Sequence, residues 1–232
     1  IEFADDAIAR LEKELAKAKK AALERGKKLS QAREKAAQAL QARVQDELRQ
    51  LDMPKVQFET EFSPSQGEEA GGLEQAQFLM SANLGEALKP IHKIASGGEL
   101  ARIMLALKNV LAEDDGIGSL VFDEVDTGVS GRAAQKVAQK MADVARCKQV
   151  LCVTHLPQIA AMADTHFSVE KGERDGRTYT RVVLLDREQR KAELARITGG
   201  SRVTEALLAS AGELLDQAER YRSELGMRNH AE

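Results

Sequence analysis

Aromatic side chains are scarce in this sequence. Trp is absent, and the aromatic residues together make up 3% of the 232 residues. Modules that bind single-stranded nucleic acid usually stack bases on exposed rings, so this composition argues against such a module. A formal net charge of −3 also lacks the overall basic signature of a DNA-binding domain. Any contact with DNA must therefore be local or belong to residues outside this chain.

Long apolar runs and cysteine motifs are missing as well. No stretch reaches the roughly 18 apolar residues of a membrane span, and no secretory signal peptide is visible. Cys147 and Cys152 lack metal-ligand spacing, and Cys152 is predicted to be a buried small residue in an apolar strand. We expect a reducing, cytoplasmic location without membrane contact. The chain opens on Ile1 rather than Met, so we interpret it as a fragment of a longer protein.

The first fifty residues have the spacing of one long helix. Small and apolar side chains recur there at steps of three and four, with Arg25 filling one slot: Ile8, Leu11, Leu15, Ala18, Ala22, Leu29, Ala32, Ala36, Ala39, Leu40, Val44, Leu48 and Leu51. A helix this long cannot bury its own stripe. We therefore predict a coiled-coil arm over residues 1–53 whose antiparallel partner helix lies outside this chain. Lysines on its polar face are compatible with DNA contact, but a solvated face explains them more simply.

The rest of the chain alternates strands and helices. We predict strands at 56–62 and 75–82 around a loop at 63–74, a connector at 83–95, helices at 99–111, 131–146 and 157–163, strands at 120–123 and 149–154, a hairpin at 167–171 and 178–185, and helices at 187–197 and 203–225. Ser130 is the predicted N-cap of the helix at 131–146. This order predicts an α/β head lobe over residues 54–232, with a mostly parallel sheet and flanking helices.

The sequence Ser96-Gly97-Gly98-Glu99 stands at the start of a predicted helix. Ser at the N-cap and Glu at the third position form a capping box, which explains part of the pattern. It does not explain two glycines in the first turn, where each weakens the helix. Glycines there let a ligand approach exposed N–H groups, so this turn is a candidate phosphate site.

Two carboxylates follow the next apolar strand. Asp123 and Glu124 stand at the carboxyl end of the strand, the edge where α/β sheets bind ligands. Asp123 has the chemistry to hold Mg²⁺, and Glu124 can accept a proton from a water molecule. A polar strand exit in solvent explains the pair equally well.

Asp126 and His155 lie beside this pair in the predicted topology. Asp126 belongs to the turn Asp126-Thr127-Gly128, and His155 ends the following strand at the same sheet edge. Each has an ordinary interpretation, as a turn residue and a structural histidine. Their position next to Asp123 makes them candidates for a shared site, in which His155 can reach a terminal phosphate.

These motifs together resemble the C-terminal lobe of an ABC-type ATPase, and more specifically the SMC-like RecN family. The similarity is carried by Leu29–Arg33 (LSQAR), Ser81–Glu86 (SANLGE), Lys93–Lys108 (KIASGGELARIMLALK), Phe122–Gly131 (FDEVDTGVSG) and Thr154–Ala160 (THLPQIA). It covers most of the chain. Leu84 stands where the family pattern has Pro, a local departure in a loop.

The resemblance implies a role for each candidate residue. The signature motif, with Ser96, Gly97, Gly98 and Glu99, would face ATP held by a second head. Asp123 would hold Mg²⁺, and Glu124 would activate the attacking water. The D-loop would contain Asp126, which would cross the interface between heads, and His155 would sense the γ-phosphate. The arm would be the returning helix of an antiparallel coiled coil.

One family motif does not occur in the sequence, the Walker A pattern G-x-x-x-x-G-K-[ST]. The family carries it in the N-terminal half of the same protein. We therefore expect an ATPase only after completion by that half, with a second head as homodimer partner, DNA contacts through other regions, and a nucleoid-associated role in recombinational repair of double-strand breaks. Two alternatives remain open at this point, an ABC transporter nucleotide-binding lobe and a non-catalytic coiled-coil interaction module.

Overall fold

The computed structural model describes residues 2–69, 71–81, 85–93, 97–112, 116–174, 177–200 and 202–228. The elements are α1 (Glu2–Gln50), β1 (Gln57–Glu69), β2 (Gly72–Ser81), β3 (Lys89–Pro90), a 3₁₀ turn (Ile91–Lys93), α2 (Gly97–Val110), β4 (Ser119–Phe122), α3 (Gly131–Ala145), β5 (Gln149–Cys152), α4 (Pro157–Met162), β6 (Phe167–Arg174), β7 (Arg177–Leu184), α5 (Arg187–Gly199) and α6 (Glu205–Arg228). The chain divides into two compact units, Ile1–Asp46 with Lys55–Ile94, and Glu47–Pro54 with Ala95–Glu232. The boundary between arm and head at residue 53 stays a prediction.

Helix α1 ends in a two-bond C-terminal cap. The backbone N–H of Asp52 donates to the carbonyl of Arg49 at 3.2 Å, and that of Met53 donates to Leu48 at 2.9 Å. Asp52 adopts φ 65°, the left-handed conformation that this cap requires. Glycine usually fills such a position because it lacks the Cβ penalty. The predicted helix is thus confirmed, and the cap sets its end before Pro54.

One stripe of α1 is covered by the hairpin of β1 and β2. Gly26 is buried in this stripe, and a Cβ added to it would lie 2.6 Å from Cγ of Leu73. Nη1 of Arg33 donates to the carbonyl of Glu74 at 3.3 Å. The seam predicted from the sequence is covered only in part, since its member Val44 is buried whereas Ile8 and Leu11 are more than half exposed. A helix to cover that seam remains a prediction.

The loop predicted at 63–74 is wrong, because both strands continue through it. β1 and β2 pair antiparallel as far as Pro64 opposite Glu74, with an irregularity between Pro64 and Glu69. Composition suggested a loop, but β1 is an edge strand, and proline is tolerated at an edge because its missing N–H interrupts no second ladder. Within the predicted connector, β3 adds a short third strand, pairing Lys89 with Met80.

The second unit contains a parallel β–α–β element. β4 and β5 pair in parallel, with Leu120 opposite Val150 and Phe122 opposite Cys152. The crossover helix α3 buries Ala134, Val137, Ala138, Met141 and Val144, a three-four spacing that forms one apolar face. Ser130 occupies the predicted N-cap, but its side chain makes no cap hydrogen bond. Parallel strands require such a crossover, and here it supplies the core.

The α/β class is confirmed, but parallel pairing is narrower than predicted. Among the described strands, β4 and β5 form the parallel pair, while the other pairs are antiparallel. Two residues separate β1 from β2 and β6 from β7, and so short a connection can join only antiparallel neighbours. The expectation of a mostly parallel sheet therefore holds for the β4–β5 sheet and not for the two hairpins.

The parallel sheet is covered on one face only. Leu120 and Phe122 are buried, whereas Val121, Leu151 and Val153 are 72%, 50% and 64% exposed. Parallel sheets in proteins are normally covered on both faces. The face of Val121, Leu151 and Val153, which we call the open sheet face, is therefore atypical for a complete α/β domain.

The remaining helices pack against α4. Asp186 and Gln189 form a capping box that begins α5. Arg190 of α5 donates to the carbonyls of Ala161 and Ala163, and Arg222 of α6 donates to that of Met162 at 2.8 Å. Cations at a helix C-terminus satisfy its free carbonyls, so these arginines fix the end of α4. The predicted helices and the β6–β7 hairpin are confirmed here. Across the described part of the chain, no helix combines the length and apolarity needed to span a membrane.

Candidate functional site

The carboxyl end of β4 carries the two predicted acids. Asp123 is exposed, and its Oδ1 accepts a hydrogen bond from the backbone N–H of Glu124 at 2.9 Å. Glu124 has φ 58°, in the left-handed region. A non-glycine residue held there carries about 1 kcal/mol of strain or more, and such residues cluster at functional sites. The turn after β4 therefore holds Glu124 in a specific and strained position.

Helix α2 brings the two signature glycines against this turn. A Cβ added to Gly97 would lie 2.6 Å from Oε2 of Glu124, and one added to Gly98 would lie 2.8 Å from both Cβ and the carbonyl oxygen of Thr127. At Gly98 the neighbour includes backbone, so glycine is required there, whereas a side chain at Gly97 would displace the carboxylate of Glu124. Glu99 lies in the first turn of α2. Ser96 lies outside the described residues, so its predicted capping role is untested.

Asp126 joins this turn to the end of β5 through hydrogen bonds. Its side chain is 3% exposed, and Oδ2 accepts from Thr154 Oγ1 at 2.6 Å and from the backbone N–H of His155 at 2.9 Å. Nδ1 of His155 lies 3.1 Å from the same oxygen. This contact favours the ring form with a proton on Nδ1. The His155 side chain is 74% exposed, which leaves its outer nitrogen accessible to a ligand.

The acids make this sheet edge electronegative. Burial, together with the charges of Asp126 and Asp123, raises the pKa of Cys152 to about 12. The thiol is therefore neutral at physiological pH and is no nucleophile. The same negative potential favours a bound cation beside Asp123.

The donor set fits a cation that is shared with a phosphate ligand. Within the described residues, no three His, Cys, Asp or Glu side chains are grouped to hold a metal ion by themselves. Mg²⁺ is usually bound through one or two carboxylates together with substrate phosphates and waters. The single exposed carboxylate of Asp123 matches that arrangement.

Arg102 is a site residue that the sequence interpretation missed. It lies on α2 one turn after Gly98 and is 7% exposed. Its Nη1 donates to the carbonyls of Thr127 at 2.7 Å and Val125 at 3.4 Å. Burial lowers the pKa of Arg102, and Glu99 opposes that decrease. A basic residue on the apolar face of the predicted helix was the available signal.

The structure thus gathers most of the predicted residues in one unit. Gly97 and Gly98 contact the turn of residues 124–127, Asp123 precedes that turn, and Asp126 joins it to His155. Asp126 is buried against its own chain. In the turn Asp126-Thr127-Gly128, the exposed residues are Thr127 and Gly128, which are accessible to a second molecule.

The chain is similar to curated proteins over most of its length. No family model matches the chain. The DNA repair protein RecN of Bacillus subtilis (strain 168) is 42% identical over 238 residues, covering 96% of this chain and 41% of that protein. RecN of Deinococcus radiodurans is 45% identical over 190 residues, covering 82% of this chain and 33% of that protein.

A solved structure shares the fold. The Smc head domain with a coiled coil and joint from Pyrococcus yayanosii aligns with a TM-score of 0.53 and 21% identity, covering 85% of this chain and 34% of that one. The chain spans less than half the length of the RecN proteins that it matches, 41% and 33% of the two named above. With 42% and 45% identity to these two proteins over most of its length, the chain belongs to the RecN family.

Proposed function

We propose that this chain is the C-terminal part of an ATP-dependent head that acts in recombinational repair of DNA double-strand breaks. The observation that carries the proposal is the packing of Gly97 and Gly98 against the turn that holds Glu124. A phosphate-binding helix start and a strand-end carboxylate pair thereby lie in one unit. Similarity to RecN proteins, which are DNA repair proteins by name, supports the biological role.

Each residue of the site has a chemical task in this proposal. The N–H groups at the start of α2, with Ser96 and Glu99, bind the terminal phosphate of ATP carried by a second head. Asp123 holds Mg²⁺, which when bound neutralises charge on the phosphates. Glu124 accepts the proton of the attacking water. His155, oriented by Asp126, faces the terminal phosphate with its outer nitrogen, which donates to a phosphate oxygen when both ring nitrogens carry a proton.

The nucleotide pocket is completed by the N-terminal half of a RecN protein. The sequence here has no Walker A motif, and without it ATP lacks its main phosphate contacts. The open sheet face supports this partner, because three exposed apolar side chains on a parallel sheet call for a covering layer. The exposed seam of α1 supports a partner helix from the same half, as in an antiparallel coiled coil.

Two further partners follow from the same proposal. A second copy of the completed head binds across the exposed Thr127 and Gly128, so that ATP joins two heads as a homodimer. DNA is contacted through other regions, since this chain carries a net charge of −3. Hydrolysis then separates the two heads and ends the ATP-joined dimer.

The test is reconstitution of hydrolysis. This chain is mixed with the N-terminal half of a RecN protein that contains Walker A, and Mg-ATP turnover is measured. We expect activity only in the mixture, and a decrease of about 100-fold or more with Asp123→Asn, since such a charge contact acts on the transition state. Glu213→Gln, an exposed change on α6, serves as the matched control. Absence of turnover, or turnover indifferent to Asp123→Asn, would instead favour a non-catalytic interaction module.

A further inference from the structure

Arg102 connects two motifs that are far apart in the sequence. It shares a face of α2 with Gly98, because residues four apart lie one above the other on a helix. Gly98 contacts Thr127 through its backbone, and Arg102 donates to the carbonyl of the same residue at 2.7 Å. The start of α2 and its second turn therefore both contact Thr127. This residue belongs to the turn of residues 124–127, which we call the D-loop turn.

The guanidinium is buried, and its placement needs a reason. Taking a cation out of water has an effective penalty of several kcal/mol unless hydrogen bonds replace the lost hydration. Here the carbonyls of Val125 and Thr127 replace part of it, while Nε is buried and has no hydrogen-bond partner among the residues that the structure describes. A methionine or leucine would pack at such a position without that penalty. The arginine is therefore better explained by what it holds than by its contribution to stability.

The D-loop turn is also hydrogen-bonded to the residues that follow β5. Between Val125 and Thr127, Asp126 accepts hydrogen bonds from Thr154 and His155 at the end of β5. At its beginning, the carbonyl of Glu124 accepts from the N–H of Thr127 at 3.0 Å. A shift of the turn would therefore move Glu124 and His155 together.

We propose that Arg102 is a positioning residue that fixes the D-loop turn to α2, and that it thereby sets the positions of both Glu124 and His155. The inference rests on the proposed function where it concerns hydrolysis. Movement of α2, which begins at the phosphate-binding glycines, is transmitted through Arg102 to the acid and to the histidine of the same chain.

The first test measures hydrolysis in a complete RecN protein that carries this chain. A displacement of about 1 Å in a catalytic group can lower the rate about 100-fold, so we expect that decrease in kcat for Arg102→Met. We expect KM for ATP to change by less than about threefold, because misplaced groups act after binding. Arg102→Lys keeps a shorter donor, and we expect an intermediate decrease of about tenfold. Arg220→Met, the same change on the exposed face of α6, is the control and leaves kcat unchanged.

The second test does not depend on ATP hydrolysis. The chain has four histidines, and nitrogen NMR distinguishes the two proton positions of each ring. In the wild-type chain we expect His155 to hold its proton on Nδ1, beside Asp126. With Arg102→Met the turn loosens, and the His155 signals shift towards a mixture of both forms. Arg220→Met leaves them in place.

The outcomes separate this inference from the proposed function. Unchanged turnover with Glu124→Gln would sink the proposed function and leave the NMR test of Arg102 intact. A folded Arg102→Met protein with wild-type kcat and wild-type His155 signals overturns the role of Arg102. If circular dichroism shows that Arg102→Met does not fold, Arg102→Lys decides: an intermediate kcat and shifted His155 signals support the coupling, and wild-type values overturn it.

Discussion

Helices α1 and α3 carry the same three-four spacing of apolar residues, and they bury it to different degrees. In α3 the spaced residues are all buried against the second unit, with Val137 and Val144 fully inaccessible. In the first half of α1 the spaced residues Leu11 and Leu15 are 58% and 56% exposed. Periodicity therefore identifies a helix and its apolar face, but it does not identify the partner that covers that face. For α1 that partner is proposed to lie in the N-terminal half of the protein.

The largest expected difference between the two helices is in core substitutions. Met141→Ala in α3 should lower the free energy of unfolding by about 2–5 kcal/mol, because it leaves a cavity in packed surroundings. Leu15→Ala in α1 should change it by no more than about 0.5 kcal/mol, because an exposed side chain leaves no cavity. Urea unfolding of this chain measures both. Equal losses for the two variants would contradict the different burial of these helices.

A smaller effect is expected where the hairpin covers α1. Gly26→Ala gains about 1 kcal/mol of helix propensity but forces Leu73 to move, which costs about 1–3 kcal/mol. We expect a net loss of stability in the wild-type background and a gain of about 1 kcal/mol in the Leu73→Ala background. A double-mutant cycle by urea unfolding measures the coupling.

The matched control for that cycle is Gly226→Ala in α6, where an added Cβ meets nothing within 4 Å. It should stabilise the chain by about 0.5–1 kcal/mol in either background. If Gly26→Ala stabilises as much as this control does while Leu73 is present, the hairpin does not contact the arm at Gly26.

The cap at the end of α1 offers a gain in stability. Asp52→Gly removes the strain of a left-handed aspartate and should stabilise by about 0.5–1 kcal/mol. The ion pair with Lys136 at 3.6 Å joins half-exposed groups, and its loss should subtract little. Thermal unfolding of Asp52→Gly beside Asp52→Ala is the measurement. Equal unfolding temperatures for the two would argue against a left-handed residue at this position.

The smallest expected effect is a pH dependence within the second unit. Burial lowers the pKa of His166, Arg190 lowers it further, and Glu193 opposes the decrease. The folded state therefore favours the neutral ring, and the unfolded state takes up a proton first as the pH falls. Stability from this group is complete above the ordinary value of 6.5 and decreases as the pH falls towards the folded value. His166→Gln should flatten the loss between pH 7.5 and pH 5.5 in urea unfolding, and an identical slope would refute this assignment.

The sequence predicts the local elements well, because helix and strand periods depend on neighbouring residues. It also predicts that Asp123 and His155 share an edge, since parallel strand ends must meet. Other features depend on contacts distant in sequence. The strand pairing through Pro64 arises from an edge position, and the covered stripe of α1 arises from Leu73. Arg102 falls in the same class, because its partners lie more than twenty residues away.

The proposed role of Glu124 is to activate water in a nucleotide site shared by two heads. Sedimentation of a complete RecN protein carrying Glu124→Gln, with Mg-ATP, tests it most directly. We expect a dimer that forms with ATP and persists, while the wild-type dimer decays as ATP is consumed. A variant that hydrolyses ATP at the wild-type rate and sediments as the wild type does would contradict it.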